Sequence, residues 1–89
     1  MSIELMTATW ENKDFNPIEK YVMLALADSA NHEGISSYSW HQRLSDKTGL
    51  TLLTVNDIIY GLMQKGYLSD VYENEDGNRE YRITDRLRQ

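Results

Sequence analysis

No cysteine occurs among the 89 residues. Disulfides and thiolate metal sites are thereby excluded. No apolar run approaches the roughly 20 residues that a membrane-spanning helix needs. The opening MSIELMTATW has neither the basic n-region nor the apolar h-region of a signal peptide, so a cytoplasmic chain without a membrane partner is expected. Proline appears once, at Pro17, and no repeat, low-complexity segment or linker divides the sequence. Positive charge is scarce: nine Lys and Arg stand against 14 Asp and Glu, for a net charge of −5 and a pI near 4.8. That balance opposes non-specific attraction to nucleic acid or to an anionic membrane. The scarcity is uneven. Residues 1–78 carry five basic and twelve acidic side chains, whereas 79–89 carry four arginines against Glu80 and Asp85. The two histidines, His32 and His41, have no metal-ligand spacing and no nucleophile beside them. No catalytic residue, metal or cofactor is expected, and the chain reads as a non-enzyme.

What is present is enough for one small domain. Apolar residues make up 40 % of the chain, sufficient for a single core, and a domain this small gains from a partner or from dimerisation. Asn16-Pro17-Ile18-Glu19 is a strong helix start: Asn16 caps, Pro17 suits the first helical position and Glu19 reaches back to the cap. Helix one runs on to about Asn31, with Ile18, Tyr21, Val22, Ala25 and Leu26 as a buried stripe widened by Met23 and Leu24. Gly34 is free to take a positive φ after it. Ile35 to Tyr38 forms a short strand or an extended arm. Helix two spans Trp40 to Thr48 around Leu44, Gly49 turns the chain, and Leu50 plugs the turn. Thr51 caps helix three, which runs to about Lys65 with Val55, Ile58, Ile59 and Leu62 inward. Gly66 closes it.

The period then becomes two. Tyr67 to Tyr72 reads as a strand, Asp76-Gly77 as a hairpin turn, and Arg79 to Thr84 as the return strand with Tyr81 and Ile83 on one face. The expected fold is mainly α with a C-terminal β-hairpin: an N-terminal arm (1–15), a three-helix core (16–66), a wing hairpin (67–84) and a frayed basic tail (85–89), the plan of a winged helix-turn-helix. The arm, with Ile3, Leu5, Met6 and Phe15, either covers helix one or exchanges with a second copy. Trp10 and Trp40 are expected as core anchors. Tyr38 and Trp40 also flank helix two as an aromatic contact site.

The pattern Asn16-Pro17-Ile18-Glu19-Lys20, Leu24-Ala25-Leu26-Ala27-Asp28, Asn31 and Glu33-Gly34 resembles the winged helix-turn-helix domains common in phage and plasmid replication proteins. Leu44-Ser45, Gly49-Leu50, Thr54-Val55, Ile58, Gly66-Tyr67-Leu68 and Gly77 to Ile83 continue the resemblance across residues 16–84. It implies that Ser45 is small where helices two and three cross, and that helix three recognises DNA. The departures carry more information. Members of that family open helix two with Pro-Ser, where this chain has Ser39-Trp40. They load helix three with Arg, Lys, Ser and Gln, where this chain turns out Leu52, Leu53, Asn56, Asp57, Tyr60 and Gly61. Asp57 stands where a phosphate-binding arginine is expected. The wing tip, basic in DNA binders, holds Glu73, Glu75 and Asp76.

Two functions follow from these residues. The first is a small phage or mobile-element protein that acts by protein–protein interaction, an inhibitor of the anti-CRISPR kind. Its binding surface is Leu52, Leu53, Asn56, Asp57 and Tyr60 with the acidic tip Glu73, Glu75 and Asp76, and its partner is a host or phage protein. Of Leu52 and Leu53, one is free to turn inward, since both neighbour Leu50. The second is a DNA-binding regulator or replication accessory protein, acting as a homodimer on duplex DNA. It would read bases with Thr54 and Asn56 and hold phosphates with Lys47, Lys65, Arg79, Arg82, Arg86 and Arg88. The first needs Leu52, Leu53 and Tyr60 exposed together; the second needs Lys47, Lys65 and Arg82 to converge beside helix three.

Overall fold

The computed structural model describes residues 3–31, 34–36, 41–73 and 79–88. Among them are four helices, α1 (Ile3–Glu11), α2 (Pro17–Ser29), α3 (His41–Thr48) and α4 (Leu52–Gln64). Three strands follow the order β1-β3-β2, with β1 Ile35–Ser36, β2 Leu68–Glu73 and β3 Arg79–Ile83. A single 3-10 turn, Asp85–Arg88, ends the described chain. The molecule is thus mainly helical with a C-terminal antiparallel hairpin. None of the described helices is long and apolar enough to cross a membrane.

Helix α2 is the centre, touching α1, α3, α4 and β1. Its start is a complete capping box. The Asn16 side chain accepts from the Glu19 backbone N–H at 2.8 Å, and the Glu19 carboxylate accepts from the Asn16 N–H at 2.9 Å. The other carboxylate oxygen of Glu19 accepts from Lys65 Nζ at 2.7 Å, at the end of α4. One largely buried side chain therefore satisfies an orphan N–H of its own helix and fixes the far end of another. Val22, Met23, Leu26 and Ala27 are fully buried along α2. Ile18 and Tyr21, expected in that stripe, are instead 44 % and 47 % exposed. Tyr21 lies about 140° around the axis from Leu26, and Met23 and Ala27 take the buried flank in its place. Helix α2 also ends earlier than the periodicity suggests. Ala30 is extended and buried, and Asn31 turns the chain into β1 by accepting from Gly34 N–H and Ile35 N–H.

The N-terminal arm covers α2, the first of its two expected placements; the correction is that it is itself a helix, α1, which packs also on the final 3-10 turn of its own chain. Leu5 and Thr9 face inward one helical turn apart. Thr9 hides this period from an apolar count, because its hydroxyl is buried only by donating to the Leu5 carbonyl at 2.7 Å. Trp10 is the neighbour that turns outward; it is 63 % exposed and no core anchor. Its carbonyl, not its ring, is used, accepting from Lys20 Nζ at 3.0 Å. Trp40 and Tyr38 lie outside the described residues, as does His32.

The C-terminal tail is the second correction. Residues 85–88 fold back as the 3-10 turn, and Leu87 is buried against the core. Tyr67, expected as the first strand residue, is instead the junction just before β2. Its ring meets Phe15 edge-on at 4.7 Å, and its hydroxyl donates to Asp14 at 3.0 Å and accepts from Asn12 at 3.4 Å. Arg86 lies over the same ring at 5.1 Å, a cation–π contact. In the sheet, Leu68 pairs with Ile83 and Asp70 with Tyr81, and a bulge falls between Asp70 and Tyr72. Tyr81 and Ile83 both face the core. The hairpin turn Asp76-Gly77 lies outside the described residues. On the other edge, β1 pairs Ile35 with Arg82, and Gly34 accepts from Ile83 N–H at 2.8 Å. Gly34 has φ +80°, and a Cβ there would stand 3.0 Å from the Ile83 carbonyl oxygen.

Two substitutions test this architecture by chemical denaturation. Gly34→Ala combines left-handed strain with that close approach, and should cost about 2 kcal/mol. Glu19→Gln should also cost about 2 kcal/mol, through the weakened cap and the lost charge-assisted bond. Burial by itself would raise the Glu19 carboxyl. The Lys65 hydrogen bond, the Asn16 N–H and the Lys65 charge outweigh it and hold the group below its ordinary value of 4.5. The folded value is thus the lower one. The stabilisation is complete above pH 4.5 and is lost as pH falls through the depressed folded value. The acid limb of melting temperature against pH should be shallower in Glu19→Gln than in the wild type.

Candidate functional site

Helix α4 is positioned by its two ends and one side. At its start, Thr51 accepts from the Thr54 N–H at 3.2 Å, and the Thr51 hydroxyl donates to the Thr54 hydroxyl at 2.9 Å. Before it, the Gly49 turn is held by Ser45, whose hydroxyl donates to the Leu50 carbonyl at 2.7 Å, and by Thr48, which donates to Leu44 and accepts from Leu50. Ser45 therefore acts through its hydroxyl. At the other end Lys65 is tied to Glu19. Val55, Ile59 and Leu62 are buried, with Ile58 partly so. At 100° per residue these four fix the inward direction, and the opposite face is fixed with them.

That opposite face carries Leu53, Asp57, Tyr60 and Gln64, all exposed. Leu53 is 76 % and Tyr60 65 % exposed. Leu52, at 41 %, borders them, so neither leucine turns inward. Asn56 is half-buried at the margin. No lysine or arginine occurs from Gly49 to Gln64, and Asp57 has no ion pair among the described residues. Gly61 sits beside Tyr60 in the same face. A Cβ built there would meet nothing within 4 Å among the described residues, so their packing does not ask for glycine. In a helix interior glycine costs about 0.5–1 kcal/mol relative to alanine.

The cations assigned to phosphate contact are placed differently. Lys47 bonds Asp28 at 2.6 Å and Lys65 bonds Glu19 at 2.7 Å. Glu19 and Asp28 are nine residues apart on α2, about 14 Å along its axis. The two lysines are thus drawn to opposite ends of α2 and do not converge. The Lys47 hydrogen bond and charge hold the Asp28 carboxyl below its ordinary value, as for a carboxylate engaged by a cation. Arg86 is engaged on Tyr67. Arg82 is exposed on β3 beside Ser69, Thr84 and Asp85. Thr54 is engaged in the cap of α4. Asp46 accepts from Gln42 one turn earlier on α3. Arg79 and Arg88 contribute backbone to β3 and the 3-10 turn. The side chains of Glu73, Arg79, Arg88 and His41 lie outside the described part, as do residues Glu75 and Asp76. Among the described residues no group of three or more His, Cys, Asp or Glu is placed to hold a metal ion.

Gln64 and Gly61 are the residues of this face that the sequence reading passed over or left without a role. The signal for Gln64 was present: Leu53, Asp57, Tyr60 and Gln64 are spaced by four, three and four positions. No protein-family model, curated protein or solved structure matches this chain.

The face and the core of one helix should separate cleanly in urea unfolding. Leu53→Ser should change stability by less than about 0.5 kcal/mol. Ile59→Ala, two turns away on the buried side, should cost about 3 kcal/mol. Gly61→Ala should add about 0.5–1 kcal/mol.

Proposed function

We propose that the chain is a winged helix-turn-helix, with α3 and α4 as the helix pair and β2–β3 as the wing, and that it binds another protein rather than duplex DNA. The observation that carries this reading is the joint exposure of Leu53 and Tyr60 beside Asp57 on the outer face of α4, with Leu52 exposed on its flank. Apolar surface of this kind gains about 25 cal/mol for each Å² removed from water. A protein surface can remove it; a phosphate backbone offers charge instead. Asp57 would repel that backbone, and Lys47 and Lys65 already neutralise carboxylates of α2. An inhibitor from a phage or other mobile element, of the anti-CRISPR kind, fits this acidic, cation-poor surface.

The experiment is affinity capture from host-cell extract with wild type and Leu53→Asp side by side, together with a duplex DNA titration at physiological salt. Wild type should retain a protein that Leu53→Asp loses, with both variants equally folded, and should show no submicromolar DNA binding. Submicromolar duplex binding abolished by Asn56→Ala would overturn the proposal and establish the DNA-regulator reading.

A further inference from the structure

The outer face of α4 also specifies the kind of protein it would meet, and this step rests on the protein-binding reading above. Leu53, Asp57, Tyr60 and Gln64 follow one another by four, three and four, so two apolar and two polar side chains form one seam along the helix. The seam runs along most of the 13-residue helix, for about 17 Å. Asp57, Tyr60, Gly61 and Gln64 form the four corners of one surface diamond, the hole that receives a side chain from a facing helix. Gly61 lowers one corner of it. Among the described residues nothing fills the space a side chain would take there, so that corner is open to close approach by a partner.

Charge selects between the occupants. The middle of the seam holds Asp57, with no cation on the helix face. In a second copy packed antiparallel, with Leu53 seated in the partner's diamond, the two Asp57 carboxylates would meet near the symmetry axis. Each copy would also bring a net charge of −5. Like charges placed together in an interface are strongly unfavourable. An arginine or lysine opposite Asp57 reverses that sign and forms a charge-assisted bond. We infer that α4 docks an amphipathic helix of a different protein, about three turns long, whose apolar stripe seats in the Gly61 diamond and whose basic residue pairs with Asp57.

The test uses a displayed library of helical peptides, randomised along one stripe and its flanks and selected on the full chain. The tightest peptide is then synthesised and titrated by fluorescence anisotropy. Selected peptides should be amphipathic and carry Arg or Lys within the stripe. Their affinity should fall about tenfold or more with Leu53→Asp, with Asp57→Arg and with Gly61→Leu, each checked to be folded and no less stable than the wild type. Exchanging the peptide's base for glutamate should restore binding to Asp57→Arg. Peptides that need Leu53 but ignore Asp57→Arg and Gly61→Leu would overturn this inference while leaving the protein-binding reading standing. A mass that doubles with concentration and reverts in Leu53→Asp would overturn it in favour of a second copy. Duplex DNA binding lost in Leu53→Asp would overturn both.

Discussion

The Glu19 carboxylate is the constraint on which the rest of the arrangement depends. One oxygen closes the capping box with Asn16, and the other receives Lys65. The side chain is only 7 % exposed, so its charge is tolerable only while both partners are present. The consequence reaches beyond one helix. The start of α2 and the end of α4 are held together by a single group, and the Lys47–Asp28 pair ties α3 to the other end of α2. With α4 held at its end by Lys65, and Val55, Ile59 and Leu62 packed inward, its rotation about its own axis is set. Which residues it shows to solvent is then no longer free.

Tyr67 does for the termini what Glu19 does for the helices. Its ring and hydroxyl gather Asn12, Asp14 and Phe15 from the α1–α2 connection and Arg86 from the last turn. The backbone continues the same joint, since Tyr67 accepts from Thr84 N–H and Gly66 from the Thr84 hydroxyl. Helix α1 and the 3-10 turn thereby become part of the core. A small chain without disulfides gains from closing both ends onto one aromatic anchor, because each added buried contact offsets chain entropy that its short core covers only narrowly.

These two joints consume charge in a way that bears on function. The lysines nearest α4 are spent on carboxylates of α2, and Arg86 is spent on Tyr67. What α4 presents outward is hydrophobic and acidic. The usual division for a DNA reader, cations outside and apolar groups inside, is absent from this helix. The proposal of a protein partner rests on that division rather than on any kinship with known proteins.

Local features of the sequence determined the starts, stops and inward faces of the central elements. Asn16-Pro17-Ile18-Glu19 announces the cap of α2 because its hydrogen bonds close within three residues. Gly34, Gly49 and Gly66 stand where the chain takes positive φ. The periodicity of Val55, Ile59 and Leu62 places Leu53, Asp57 and Tyr60 on the opposite side by helix geometry alone. The tertiary structure decided everything that depends on a distant partner. Lys65 meets Glu19 across 46 residues and Tyr67 meets Asp14 across 53, and no periodicity spans such intervals. Thr9 is inside and Trp10 outside, and the Thr9 hydroxyl tolerates burial because its own helix satisfies it. Hydropathy ranks Trp10 above Thr9; hydrogen-bond satisfaction and available volume, which exist only in the folded chain, reverse that order.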